Sequence, residues 1–249
     1  MAGHSKWAQI KHKKAVTDSR RGAQFTKLAR AIQVAAREGG GELVGNPALQ
    51  LAVQKAKDAS MPKDNIERAI QKGVGGGADA ESWEAVLYEG YGPGGVALLI
   101  EALTDNRNRT GSEVRHLFAK HNGNLGEPGS VAWVFDKKGV IVVDGDRYSE
   151  DDLFAAIDAG AEDVSVDENV YEIVTAPEDL ANVRQALVDA GVELESAEIA
   201  MQPKSTVDVP EDQVAQLMRL MDALEEHDDV SAVHANFNVD ADVLERVAG

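Results

Sequence analysis

The chain has 249 residues, 43% of them apolar, and carries 43 Asp/Glu against 25 Lys/Arg for a formal net charge of −18. That is enough apolar sequence for one large hydrophobic core or two to three small ones. The absence of cysteine excludes disulfides, thiolate metal sites and cysteine nucleophiles, and fits a reducing compartment, with a cytoplasmic location as the expectation.

No stretch of 18 apolar residues occurs and the N-terminus lacks the apolar run of a secretory signal, so no membrane partner is expected. A basic start also suits a mitochondrial transit peptide, but Asp18 and the direct run into helical sequence speak against one. The charge is unevenly distributed. Residues 1 to 78 hold 14 Lys/Arg against 6 Asp/Glu, a net +8, and residues 79 to 249 hold 11 against 37, a net −26. Residues 1 to 30 alone contain eight bases and the single acid Asp18, a concentration that attracts polyanions or else forms a solvated tail.

In chain order, Asp18 or Ser19 can cap a first helix running to about Glu38, where Gly39-Gly40-Gly41 ends it. Phe25, Leu28, Ala29, Ile32 and Ala36 give it an apolar stripe, and Lys27, Arg30 and Arg37 fall on the opposite side. Asn46-Pro47 predicts an N-cap and first helical residue for a second helix to about Ala59. A third helix, Lys63 to Lys72, follows Met61-Pro62, and Gly73 to Gly77 reads as a hinge.

Beyond the hinge, Val86 to Glu89 and Val96 to Thr104 predict a strand pair around a glycine-rich turn. Thr110-Gly111-Ser112-Glu113 has the pattern of a capping box opening a helix to about His121, and Ser130 to Phe135 alternates like a strand. Residues 140–143, 150–159, 163–166, 170–175, 177–190 and 194–200 then read as strand, helix, strand, strand, helix, strand, a complete split β-α-β unit. A helix over 211–226 and a strand around Val233 to Val239 complete the sheet begun near residue 84. The expected fold class is α+β: a three-helix domain over 1–78, a discontinuous α/β domain over 79–136 plus 203–249, and a ferredoxin-like βαββαβ domain over 137–202 inserted into it.

Motifs of catalysis fail in their contexts. Gly90-Tyr91-Gly92-Pro93-Gly94-Gly95 contains G-x-G-x-x-G, but an apolar strand follows where a dinucleotide site needs a helix N-terminus. The kinase alternative lacks its lysine and its catalytic-loop sequences. The six histidines show no metal-ligand spacing, the paired acids Glu225 and Glu226 suit a solvated face, and no serine sits in a nucleophile elbow. The expectation is therefore a non-enzyme with no cofactor, no metal and no small-molecule substrate.

Three features suit nucleic acid instead. The loop Thr104-Asp105-Asn106-Arg107-Asn108-Arg109-Thr110 precedes a helix N-terminus, with Arg115 and Lys120 further along, although ion pairs to Asp105 and Glu113 would also account for it. Val131, Trp133 and Phe135 fall on one face of the expected strand, where they stack bases or pack a core. The pair of helices at 47–59 and 63–72 is either a helix-turn-helix, with Lys63, Asp64 and Asn65 reading bases, or a plain helical hairpin.

Several blocks also resemble the YebC family: Ala2-Gly3-His4-Ser5-Lys6-Trp7, Ile10-Lys11-His12-Lys13-Lys14, Phe25-Thr26-Lys27-Leu28, Met61 to Ile70, Tyr88 to Gly95, Leu103 to Thr110 and Gly123-Asn124-Leu125-Gly126. The resemblance spans essentially the whole chain and extends to the mitochondrial translational activator of cytochrome c oxidase. It implies a helical N-terminal domain followed by two α/β domains, one inserted in the other. It also implies either a DNA-binding transcriptional regulator or a ribosome-associated factor that eases synthesis of proline-rich stretches. On that expectation Lys6, Lys11, His12, Lys13, Lys14, Arg20, Arg21, Lys27 and Arg30 grip phosphates, Trp7 stacks on a base, and Arg107 and Arg109 make a second contact. Ribosomal RNA is the first-choice partner, with DNA as the alternative.

Overall fold

The computed structural model describes residue 7 and residues 18–75, 83–167 and 169–248, with the backbone alone at 18–21, 167 and 248. Three helices come first: α1 (Asp18–Gly39), α2 (Pro47–Asp58) and α3 (Lys63–Val74). Leu28, Ile32, Ala36, Leu49, Val53, Ala56, Ile66 and Ala69 form their shared core, as the 3.6-residue spacing predicts. The Asn46 side chain is the lock of this unit. Its Oδ1 accepts the Leu49 N–H at 3.0 Å, and its Nδ2 donates to the carbonyls of Ala35 and Gly40 at 2.9 and 2.8 Å. One buried amide thus caps the start of α2 and holds the end of α1.

Gly73 does not belong to a hinge: it lies buried inside α3, where an added Cβ would sit 2.5 Å from the Gln33 carbonyl oxygen. Its lack of a side chain lets α3 pack directly on the α1 backbone. Residues 76 and 77 of the expected hinge lie outside the described residues.

The next strands, β1 (Glu84–Tyr91) and β2 (Ala97–Thr104), form an antiparallel hairpin with Tyr91 opposite Ala97. A 3-10 turn joins them, with Gly94 and Gly95 both at positive φ (77° and 74°), a conformation glycine adopts without steric cost. Helix α4 (Arg107–Lys120) and the short β3 (Asn124–Leu125) follow. The inserted unit comprises β4 (Phe135–Asp144), α5 (Phe154–Asp158), β5 (Ala161–Asp167), β6 (Val170–Thr175), α6 (Leu180–Asp189) and β7 (Ser196–Pro203). Its sheet order, β5-β6-β4-β7 with all neighbours antiparallel, is that of a split β-α-β fold.

The last pair of β4 and β7 sets Phe135 opposite Pro203, so the chain leaves and re-enters the preceding unit at one place. The remaining elements are β8 (Val207–Asp208), α7 (Glu211–Glu226), β9 (Val230–Ala235), β10 (Phe237–Asn238) and α8 (Ala241–Ala248). Strand β9 pairs with β2 and completes the sheet β3-β1-β2-β9. The α+β architecture of three helices followed by two antiparallel-sheet units, the second interrupting the first, is as expected.

Strand β2 explains the apolar run Val96 to Ile100, because it is covered on both faces. Leu98 and Ile100 face α4 and α7 through Val114, Phe118 and Leu217, while Ala97 and Leu99 face Val131, Val134 and Phe135. Trp7 is buried in the first of these clusters, with 4% of its surface exposed.

Several local expectations are corrected. Residues 132–134 form a 3-10 turn, so Val131, Trp133 and Phe135 do not share a strand face. The cause is the buried Glu89 carboxylate, which accepts the N–H groups of Gly129, Val131 and Ala132 at 2.6, 2.7 and 2.8 Å and leaves them none for a ladder. Burial works to raise the Glu89 carboxyl, and these three donors outweigh it and hold it below the usual value. The N-cap of helix α4 is Asn106, four residues before the expected cap Thr110, because the Asn106 side chain accepts the Arg109 N–H at 3.1 Å. The helix expected over 150–159 is a 3-10 turn followed by the five-residue α5. The short strands β3 and β8 and the helix α8 have no counterpart in the sequence reading, and the strand expected around Val233 to Val239 is divided between β9 and β10.

Replacing Asn46 by alanine removes three buried hydrogen bonds and is expected to destabilise the helical unit by about 2 kcal/mol, read as a lower urea midpoint. Trp7→Ala empties a core position and is expected to cost about 3 to 5 kcal/mol; unchanged stability would contradict the burial of Trp7.

Candidate nucleic-acid interface

The bases of α1 divide according to what they touch. Lys27 Nζ donates to the Glu225 carbonyl at 2.6 Å, and Arg30 donates to the Asp228 carbonyl at 2.9 Å. Both groups therefore sit on the C-terminal end of α7, where unsatisfied carbonyls and the helix dipole favour a cation. Burial lowers the Lys27 ammonium from its ordinary value, and the charges of Asp228 and Glu225 offset this only in part. The supposedly outward cationic face of α1 is thus a docking face.

Arg30 also reaches Asp229 at 3.2 Å, and its guanidinium lies 3.9 Å above the centre of the Trp83 ring. Asp229 is the hub of this contact. Its carboxylate accepts from Thr110 (2.6 Å), Arg109 (2.7 Å), Thr104 (3.2 Å) and Arg30, and only 5% of the side chain is exposed. Burial pushes this carboxyl up, but the Thr110 and Arg109 hydrogen bonds, the Arg109 charge and the Thr104 hydroxyl together hold it below the usual carboxylate range. Thr110 lies inside α4 as a donor to Asp229, which is why it does not act as a cap.

Arg109 is committed to the same hub and to Asp105 at 2.8 Å, with Glu113 4.0 Å from its Nε. The ion-pair account of this loop therefore holds for Arg109. Arg107 is different: it is largely exposed, with one contact of 3.4 Å to Glu84. Arg115 and Lys120 are exposed further along α4.

Glu113, His227 and Asp229 approach one another closely enough to resemble a cation site. Two of the three are largely committed to protein donors. His227 Nδ1 accepts the Asp229 N–H at 3.1 Å, so the ring carries its proton on Nε2 and donates it to Glu113 at 3.0 Å. With the Asp229 oxygens held by four donors, at most the exposed Glu113 carboxylate is left to a cation among these described residues.

Of the expected contact residues, Lys6, Lys11, His12, Lys13 and Lys14 lie outside the described residues, and the side chains of Arg20 and Arg21 are likewise undescribed. Trp7 is corrected: it packs in a core and has no face to offer a base. Lys27, Arg30 and Arg109 serve internal docking, and Arg107 points outward. Of the residues that the helix-turn-helix alternative would use to read bases, Lys63 is exposed at the start of α3 with Glu67 at 3.5 Å, and the Asn65 oxygen accepts from Arg68 at 2.6 Å.

What the described helical unit does present is a cationic groove between α1 and α3. It has a volume of about 490 Å3, and Arg30, Asn65, Arg68, Lys72 and the rings of Phe25 and Trp83 are among the side chains along it. The sequence reading missed it, although Phe25 and Arg68 lie in blocks already singled out, because its walls come from separate helices and from Trp83 beyond α3.

These features define a class: a basic three-helix unit docked onto two acidic antiparallel-sheet units. The family profile described as "TACO1/YebC protein N-terminal domain" matches residues 5–76, and "TACO1/YebC second and third domain" matches residues 83–237. The chain belongs to the TACO1/YebC family. It is 54% identical over 250 residues to a "Probable transcriptional regulatory protein" of Rubrobacter xylanophilus, and 52% identical to one of Desulfotalea psychrophila, each match covering 100% of both chains. The crystal structure of a conserved hypothetical protein of Aquifex aeolicus, Aq1575, superimposes with a TM-score of 0.83 at 51% identity, over 94% of this chain and 97% of that one. Among the described residues, no helix is long and apolar enough to cross a membrane.

The Asp229 hub sets a pH dependence. A carboxyl held below its unfolded value of about 3.9 adds stability at higher pH and loses it as pH falls through the folded value. Asp229→Asn is expected to cost about 3 kcal/mol at pH 7, with the gap to the parent narrowing as the pH falls below the unfolded value of about 3.9. Thermal unfolding across pH checks this; a gap constant down to pH 2 would contradict it.

Proposed function

We propose that this protein is a non-catalytic, nucleic-acid-binding regulator of gene expression, acting as a translation factor on ribosomal RNA in the cytoplasm. The observation that carries the reading is the partition of charge, +8 in residues 1–78 against −26 in the remainder. The docking contacts sharpen it. Lys27 and Arg30 of α1, and Lys55 of α2 through Glu198 at 2.6 Å, bind the helical unit to the acidic units. Arg68 is used in no docking contact among the described residues, and the bases of residues 1–21 are set against this acidic remainder by sequence alone. An acidic remainder repels nucleic acid from the other surfaces and so restricts binding to one side. Resemblance to YebC proteins extends the reading to synthesis of proline-rich stretches.

A second reading, a DNA-binding transcriptional regulator, is favoured by the printed names of the relatives from Rubrobacter and Desulfotalea. Both readings use the same phosphate contacts, so salt dependence does not separate them.

Because Trp7 is a core residue, the test neutralises the N-terminal bases without deleting the segment. Lys6, Lys11, Lys13 and Lys14 changed together to Gln are expected to lower co-sedimentation with ribosomes at least about tenfold in affinity and to flatten its salt dependence. Equal binding by parent and variant would remove the segment from the interface. Tighter binding to duplex DNA of defined sequence than to ribosomal RNA, in direct competition, would favour the second reading.

A further inference from the structure

The groove between α1 and α3 is unusual in this chain for what does not line it. Among the described residues, eleven side chains border it, including Arg30, Arg68 and Lys72, and none is Asp or Glu. In a protein where acids outnumber bases 43 to 25, a concave surface whose described lining holds two arginines and a lysine and no carboxylate runs against the molecular charge.

Arg68 stands at its rim. The guanidinium donates to the Asn65 side-chain oxygen at 2.6 Å and to the Asp64 carbonyl at 3.2 Å, and no carboxylate pairs with it among the described residues. Neutral acceptors hold it in place without cancelling its charge, an arrangement suited to a phosphate. Arg30 is the contrast, since Asp229 neutralises it and Trp83 covers it. Its role in the groove is to fix the indole.

The two half-buried rings, Phe25 and Trp83, supply π-faces, and the amides of Gln33 and Asn65 supply polar atoms for a base edge. A volume of about 490 Å3 lies in the range of small-ligand sites and admits a nucleotide. Bases of a duplex are stacked and paired and cannot enter such a cleft, whereas an unpaired base can.

We infer that this groove is a binding site for an unpaired nucleotide of single-stranded nucleic acid, with its base against Trp83 and Phe25 and its phosphate on Arg68. The inference rests on the nucleic-acid reading proposed above and adds a position and a strandedness to it.

The test uses the full chain carrying Trp133→Phe, which removes the exposed indole and leaves Trp83 and the core residue Trp7 as emitters. Titration with a short unstructured RNA, with DNA of the same sequence and with the matching duplex compares the three. Single strands are expected to quench the emission and duplex is not, and the better of the RNA and DNA arms identifies the natural strand. Arg68→Gln, at an exposed position outside every core, is expected to weaken single-strand binding roughly tenfold and to reduce the salt slope by about one.

If the chain binds nucleic acid but Arg68→Gln leaves single-strand affinity unchanged, or duplex quenches equally, the groove is not the site and the proposed function stands. Equal competition by polyglutamate of matched charge would also overturn the groove, because stacking would then play no part. If the intact chain binds no nucleic acid, both fail.

Discussion

Two positively charged side chains from opposite directions meet on one buried carboxylate. Arg30 comes from the first helix of the basic unit and Arg109 from the helix that follows the first hairpin, and both end on Asp229, where Thr104 and Thr110 fill the remaining acceptor positions. A carboxylate so enclosed is stable only while its donors stay in place, and removing one partner leaves an uncompensated buried charge. The basic unit is thereby tied to the acidic ones at the carboxyl end of α7, with Lys27 on the Glu225 carbonyl and Arg30 on that of Asp228 just beyond the helix. The arrangement distinguishes the bases by what they touch: Lys27, Arg30 and Arg109 are consumed in assembly, whereas Arg68 rests on neutral acceptors.

The same logic organises the rest of the molecule. Glu89 spends its carboxylate on three backbone N–H groups and turns the chain ahead of β4, which places Trp133 outward and Val131 and Phe135 inward. Lys55 and Arg184 tie the helical unit to the inserted sheet through Glu198 and Asp58. Buried or half-buried charges thus set the mutual positions of units whose hydrophobic cores are largely their own.

Features governed by neighbours in sequence were legible. Asn46-Pro47 opened its helix where predicted because capping involves atoms three residues apart, and the helix over 211–226 was read to the residue from its apolar spacing. Features governed by distant partners were not. Thr110 has the local pattern of a cap, yet its hydroxyl serves Asp229, 119 positions away. Trp7 looked like a stacking ring in a basic tail, and nothing near it in sequence tells of the core that receives it. Asp229 itself stands among Asp228, Glu225 and Glu226, and no local signal separates it from a solvated acidic run. The Phe25 to Trp83 groove was hidden for the same reason, its walls being far apart along the chain.

The central claim is that nucleic acid meets the basic helical unit and that the acidic sheets face away. Ultraviolet crosslinking in cells, with sequencing of the bound nucleic acid and mass spectrometry of the crosslinked peptides, tests it most directly. The account predicts ribosomal RNA attached to peptides within residues 1–75 and to the peptide containing Trp83. Crosslinks confined to residues 135–248, or a bound fraction made of genomic DNA, would contradict it.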